Sequence, residues 1–204
     1  MRYFYLFFIV LILGCKPSKK EFTAQEIIDA SIVNSGTDKV ANSNITFTFR
    51  DKKYSAKRNK GNFSLTRSFD SITDILSNTG FKRFVNQIEI KVADSMVARY
   101  TNSVNSVHYF SALPFGLNDT AVFKKRLASS TIKGKEYYKI EVTFSEKGGG
   151  EDFDDVFIYW IGKEDFLVDY LAYSYHTNGG GKRFRVLKEQ CSKNGIRFVD
   201  YYNY

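Results

Sequence analysis

Apolar residues fall at helical spacing in only two stretches of the chain. In the first, Ile27, Ile28 and Ile32 follow Thr23 and Glu26, a pair with the spacing of a capping box, and Ser35-Gly36 supplies a stop. In the second, Met96, Val97, Tyr100, Val104, Val107 and His108 share one face of a helix over 95–111. Asp94 is its expected N-cap, and the helix should end before Pro114-Phe115-Gly116.

Elsewhere the period is two. Ile45, Phe47 and Phe49 alternate with threonines, Arg50 to Lys53 reads as a turn, and strands follow at 54–58 and 63–67 around Asn59-Lys60-Gly61-Asn62. Residues 70–92 are ambiguous, although Gln87 to Val92 alternates. Beyond the second helix, Tyr138, Ile140, Val142 and Phe144 share a face. Val156 to Ile161 is densely apolar, 166–175 is aromatic-rich, and 184–187 and 196–204 close the chain, with glycine in the turns. About nine to eleven strands with two helices cannot form a helix-covered parallel sheet. The expected fold is mainly β (α+β): a curved antiparallel sheet or open half-barrel wrapped on one or two helices.

The amino terminus has a different character. Met1-Arg2 precedes an uncharged apolar run, Tyr3 to Leu13, and Ile12-Leu13-Gly14-Cys15 closes it. A single positive charge, a short apolar core and a small residue at the cut make a secretory signal, too short to remain as a spanning helix. The last four residues resemble a lipobox, which implies a diacylglyceryl group on Cys15. The chain is therefore divided into a signal peptide at 1–14, a lipidated tether at 15–22 and a single β domain at 23–204. Lys16 follows the cysteine where an aspartate would signal inner-membrane retention, so the expected location is the outer membrane, through the lipid anchor.

Charge and cysteine content narrow the partners. The formal net charge is +8. Because an exported protein does not routinely meet nucleic acid, lipid phosphates and acidic glycans are the anionic neighbours to expect. With Cys15 lipidated, Cys191 has no disulfide partner and is expected to be buried as a small apolar residue.

The sequence holds no G-x-S-x-G, H-E-x-x-H or phosphate-loop motif. His108 and His176 are its only histidines. Ser106 would point away from His108 on a helix, and His108 reads as a core or groove histidine satisfied by a hydrogen bond. Glu151, Asp152, Asp154 and Asp155 beside Gly148-Gly149-Gly150 offer oxygen ligands, but their spacing is not that of a calcium loop, and they read as a solvated turn. Gly179-Gly180-Gly181 with Lys182, Arg183 and Arg185 reads as a hairpin turn leading into an outward basic strand. No catalytic residue, metal or cofactor is expected.

Several segments carry a resemblance: Ser103 to Phe110, Leu113 to Asp119, Gly148 to Phe153, Val156 to Ile161, Asp169 to Tyr173, Arg183 to Arg185 and Gly195 to Tyr201. Together they are similar to a family of uncharacterised Bacteroidetes lipoproteins, DUF6503, which implies export but brings no activity or site. The signal, length and element pattern also resemble the LolA/LolB class of lipoprotein carriers, whose open half-barrel holds lipid in its concavity.

Aromatic residues are 17% of the chain, and in strand 166–175 Tyr170 falls on one face with Tyr173 and Tyr175 on the other. Since a one-sided sheet is polar outside, part of the second face should be covered or meet a partner. The expected function is non-enzymatic binding of a lipid or other lipophilic ligand in the concave face. Tyr100, His108, Phe110, Trp160, Tyr173, Arg183 and Arg185 are the expected contacts. The alternative is an envelope interaction module that binds a glycan or protein through exposed aromatic and basic strands; a hydrolase ranks below both. The sequence leaves oligomeric state open.

Overall fold

The computed structural model describes residues 21–147, 153–176 and 179–204. The signal run, Cys15, Gly148 to Asp152, Thr177 and Asn178 lie outside them.

Two antiparallel six-stranded sheets, both simple meanders and neither closed into a barrel, make up the molecule. The first contains β1 (Asn44–Phe49), β2 (Lys52–Asn59), β3 (Asn62–Phe69), β4 (Ile72–Ser77), β5 (Gly80–Val85) and β6 (Ile88–Ile90). The second contains β7 (Val122–Ile132), β8 (Lys135–Phe144), β9 (Val156–Gly162), β10 (Val168–Tyr175), β11 (Gly181–Lys193) and β12 (Ile196–Asn203). Tight hairpins set this topology. Arg50-Asp51, Lys60-Gly61, Asn86-Gln87, Lys133-Gly134 and Asn194-Gly195 all have positive φ at both central residues, which matches the right-handed twist of the strands they join.

Helix α1 (Ala24–Asn34) starts at the expected capping box, with Thr23 and Glu26 bonded reciprocally. It precedes the first sheet but packs on the second. Ile27, Ile28 and Ile32 enter one core with Ile140, Val142, Tyr159, Ile161, Val168 and Leu171, and burying each isoleucine contributes roughly 1.5–3 kcal/mol. Arg126 Nη1 donates to the Phe22 carbonyl at 2.6 Å and fixes the approach to the helix.

Helix α2 (Asp94–Ser111) joins the sheets in sequence and in space. Val104 packs with Ala56 and Leu65 of the first sheet, while Tyr109 and Phe110 reach the core of the second. Asp94 does not cap it: the N-cap is Ala93, with no side-chain bond. A 3₁₀ turn over Thr37–Asn42 seals the junction by packing Val40 against Ala112 and Ile196.

The expected mainly-β fold with few helices is observed, with twelve strands among the described residues rather than nine to eleven. Helix α1 covers the inner side of the central strands of the second sheet. One expectation is corrected. Cys191 is exposed. It stands on the part of β11 that pairs with β12 and runs past the end of the β10 pairing.

Candidate functional site

On the inner face of the second sheet, Val142, Phe157, Tyr173 and Arg183 stand opposite one another across β8, β9, β10 and β11. Ile140, Tyr159, Leu171 and Arg185 form the adjacent row. Period-two alternation places all eight on one side. The α1 end of these rows is sealed core, and the β11 end is not.

There the Phe157 and Tyr173 rings stack with centroids 4.7 Å apart, and Phe110, from the last turn of α2, packs on them at 6.4 and 5.7 Å. The Arg185 guanidinium lies 3.8 Å from the Phe110 ring centroid and 5.5 Å from that of Tyr173, a cation–π arrangement. Its Nη2 donates to the Tyr173 hydroxyl at 3.0 Å, while Nε is buried with no acceptor. Arg183, exposed on the same face, lies 5.3 Å from the Tyr175 ring. The expectation of an outward basic strand is thus corrected for Arg185. Its register opposite Leu171 turns it toward α2.

Beneath this wall, the Tyr109 and Tyr159 hydroxyls are 3.2 Å apart. The Tyr109 ring is partly exposed at its edge, but its hydroxyl end is turned inward, and burial pushes the phenol up to about 12. Burial raises Tyr159 further, against the opposing pull of the Arg185 charge.

The seven expected contacts therefore do not form one site. Phe110, Tyr173 and Arg185 meet, and Arg183 adjoins them. Tyr100 and His108 lie over the first sheet. Tyr100 packs against Phe81 and under the Arg83 guanidinium, 3.5 Å from its ring centroid. His108 is 1% exposed between Phe47 and Tyr54; its Nε2 faces the Thr66 carbonyl at 3.1 Å, the hydrogen bond the pattern suggested, while its Nδ1 is buried with no partner among the described residues. Burial, with Arg58 nearby, lowers its pKa to about 4, against the Thr66 bond, which works to raise it. Trp160 is on the opposite face of the second sheet, against Phe184.

Sequence reasoning missed Phe157, Tyr159 and Tyr109. Alternation through 156–161 would have selected Phe157 and Tyr159, but a run apolar at every position conceals its period.

Three residues from the loop before β9 and the end of β10 also converge. His176 Nδ1 is 3.3 Å from Asp154 Oδ2 and 3.4 Å from Asp155 Oδ1, near enough to share a cation. Glu151 and Asp152 of the same acidic cluster lie outside the described residues.

Over residues 1–204 the sequence matches the family of unknown function DUF6503. The chain belongs to that family. No curated protein matches the sequence. Among solved structures, this DUF6503 chain is similar to a DUF1329 family protein from Desulfovibrio piger, with a TM-score of 0.55 and 10% identity over 87% of this chain and 83% of the other. It is also similar to a LolA superfamily protein from Nitrosomonas europaea, with a TM-score of 0.49 and 12% identity over 86% and 82%. A third likeness is to the Mycobacterium tuberculosis lipoprotein LppX, with a TM-score of 0.33 and 9% identity over 76% and 89%. The first describes a shared fold, and none transfers a ligand to the DUF6503 chain.

Proposed function

We propose that this chain is a cell-envelope lipoprotein, held by a lipid on Cys15 at the outer membrane, that binds a lipophilic ligand without catalysis. The supporting observation is the pair of partly exposed rings, Phe110 and Tyr173, packed on the buried Phe157 toward the β11 side of the inner face. Aromatic rings left accessible next to a finished core are a low-entropy surface for an acyl chain. The ligand lies along this margin, because α1 already fills the centre. Native mass spectrometry after incubation with membrane lipid extract tests the reading. A retained lipid that Phe110→Ala or Tyr173→Ala releases is expected, and a chain that emerges free of lipid overturns it.

A second reading rests on the outer face. Trp160, Tyr170 and Phe184 cluster there, Phe184 is 37% exposed and Tyr202 is 50% exposed. These rings suit a glycan or an envelope protein. A glycan array that stays silent, with binding to envelope extract unchanged by Phe184→Ser, removes this alternative.

A further inference from the structure

Among the described residues most inward-facing cations are neutralised by a carboxylate, and Arg58, which lies over the Phe115 ring, and Arg185 are not. Arg67 and Arg83 both meet Asp74, Arg197 meets Asp169, and Lys135 meets Asp165 and Asp169. Arg185, although it lies flat on Phe110, meets no carboxylate among the described residues. Its partners there are two aromatic rings and one hydroxyl.

This is an unfinished hydrogen-bonding arrangement. A buried guanidinium N–H without an acceptor is unfavourable, and Nε of Arg185 is such a group. The Tyr173 hydroxyl accepts from Nη2, so its own proton remains to be donated. An N–H and an O–H donor thus sit at one corner, beside a positive charge, at the edge of an aromatic wall. The aromatic faces keep that corner poor in water, where a charge-assisted bond is stronger.

From this juxtaposition we infer that Arg185 and the Tyr173 hydroxyl together receive the anionic headgroup of an acyl-chain ligand whose tail lies on the Phe110 and Tyr173 rings. The inference rests on the lipophilic reading above and adds the ligand's chemistry: a single-tailed amphiphile that ends in a carboxylate or phosphate. Either group offers two or more acceptor oxygens, one for the guanidinium and one for the phenol. Arg183, one row further out on the same face, attracts the anion as it approaches.

The test is displacement of a fluorescent fatty-acid probe from the full chain by dodecanoic acid, dodecanol and dodecanoyl lysophosphatidic acid. At least one of the two acids should bind about tenfold or more tightly than the alcohol. Arg185→Gln should remove that advantage and leave dodecanol unchanged. Tyr173→Phe, which keeps the ring and loses the phenol, should reduce the advantage in a protein whose core is intact. Stronger competition by dodecanoic acid assigns a carboxylate, and stronger competition by the lysophosphatidic acid assigns a phosphate. Equal binding of all three, unaffected by Arg185→Gln, overturns the headgroup inference while the lipophilic reading stands. Failure of all three to displace the probe overturns both.

Discussion

Arg67 donates through Nε and Nη2 to a single oxygen of Asp74, at 3.1 and 2.6 Å, and that carboxylate is wholly buried. Arg83 reaches the other side of the same group, with Nε 2.6 Å from Oδ1. The two arginines flank Asp74 on neighbouring strands, β3 and β5, and Ser103 of α2 accepts from Arg67 above them. A polar cluster therefore fastens α2 to the first sheet. Removing the anion leaves two cations buried together, which costs about 3–5 kcal/mol. Asp74→Asn should lower the urea midpoint accordingly, and an unchanged midpoint would mean the cluster contributes little.

His108 makes stability fall on the acid side. Its pKa is about 4 in the folded chain and near 6.5 when exposed. Between those values the unfolded chain takes up a proton that the folded one refuses. Stability drops progressively from pH 6.5 to 4, by about 3 kcal/mol, and this contribution is constant below. His108→Gln should flatten that part of the curve in urea titrations run at successive pH values.

The Tyr109–Tyr159 pair makes a non-additive prediction. Tyr109→Phe leaves the Tyr159 hydroxyl buried without a partner, a loss of about 1–3 kcal/mol. The double change to phenylalanine should recover most of it, and a double-mutant cycle measures the coupling. Since Tyr109 ionises near pH 12 when folded and near 10 when unfolded, stability also declines as pH rises from 10 to 12.

Gly36 has φ +68, and a methyl group built on it would stand 1.8 Å from the Gly195 carbonyl oxygen. The same corner carries the bonds from Arg197 N to the Ser35 carbonyl and from Lys39 Nζ to the Gly195 carbonyl. Gly36→Ala is expected to destabilise by about 2 kcal/mol or more, through left-handed strain and a backbone clash that no rotamer relieves. Thermal melts will show it, whereas Gly134→Ala, with open space around it, should lose less.

The proposed lipid on Cys15 predicts that Cys15→Ser abolishes lipid attachment and the processing that follows it. Incorporation of labelled palmitate, present in the natural chain and absent from the variant, checks this directly.

Much of the fold was legible because local rules governed it. The Thr23–Glu26 box and the stop at Ser35-Gly36 placed α1 within a residue or two. The second helix, from its apolar face, was placed as closely. The ambiguous stretch 70–92 proved to be β4, β5 and β6, and its pattern was obscured because Asp74 and Arg83 point inward, polar where a core position is expected. Arg185 was hidden for the same reason, since an arginine in a basic strand reads as solvated until its register is known. Strand β7 went unrecognised because most of its side chains alternate between partly and fully exposed, so neither face stands out as apolar. The wall of Phe110, Phe157 and Tyr173 comes from three separate elements, and no spacing along the chain encodes a meeting of that kind.

The placement of α1 has a consequence for the order of events in folding. The core that α1 enters is completed only by strands made after the whole first meander and α2, with Leu113, Leu117 and Val122 supplying its earlier part. Until then its isoleucines have only part of their core to pack on, and a search across so much intervening chain is slow. A nascent or translocating chain stalled within the first meander would present the apolar face of α1 uncovered to whatever it meets, which makes the early polypeptide a natural client for a holding chaperone.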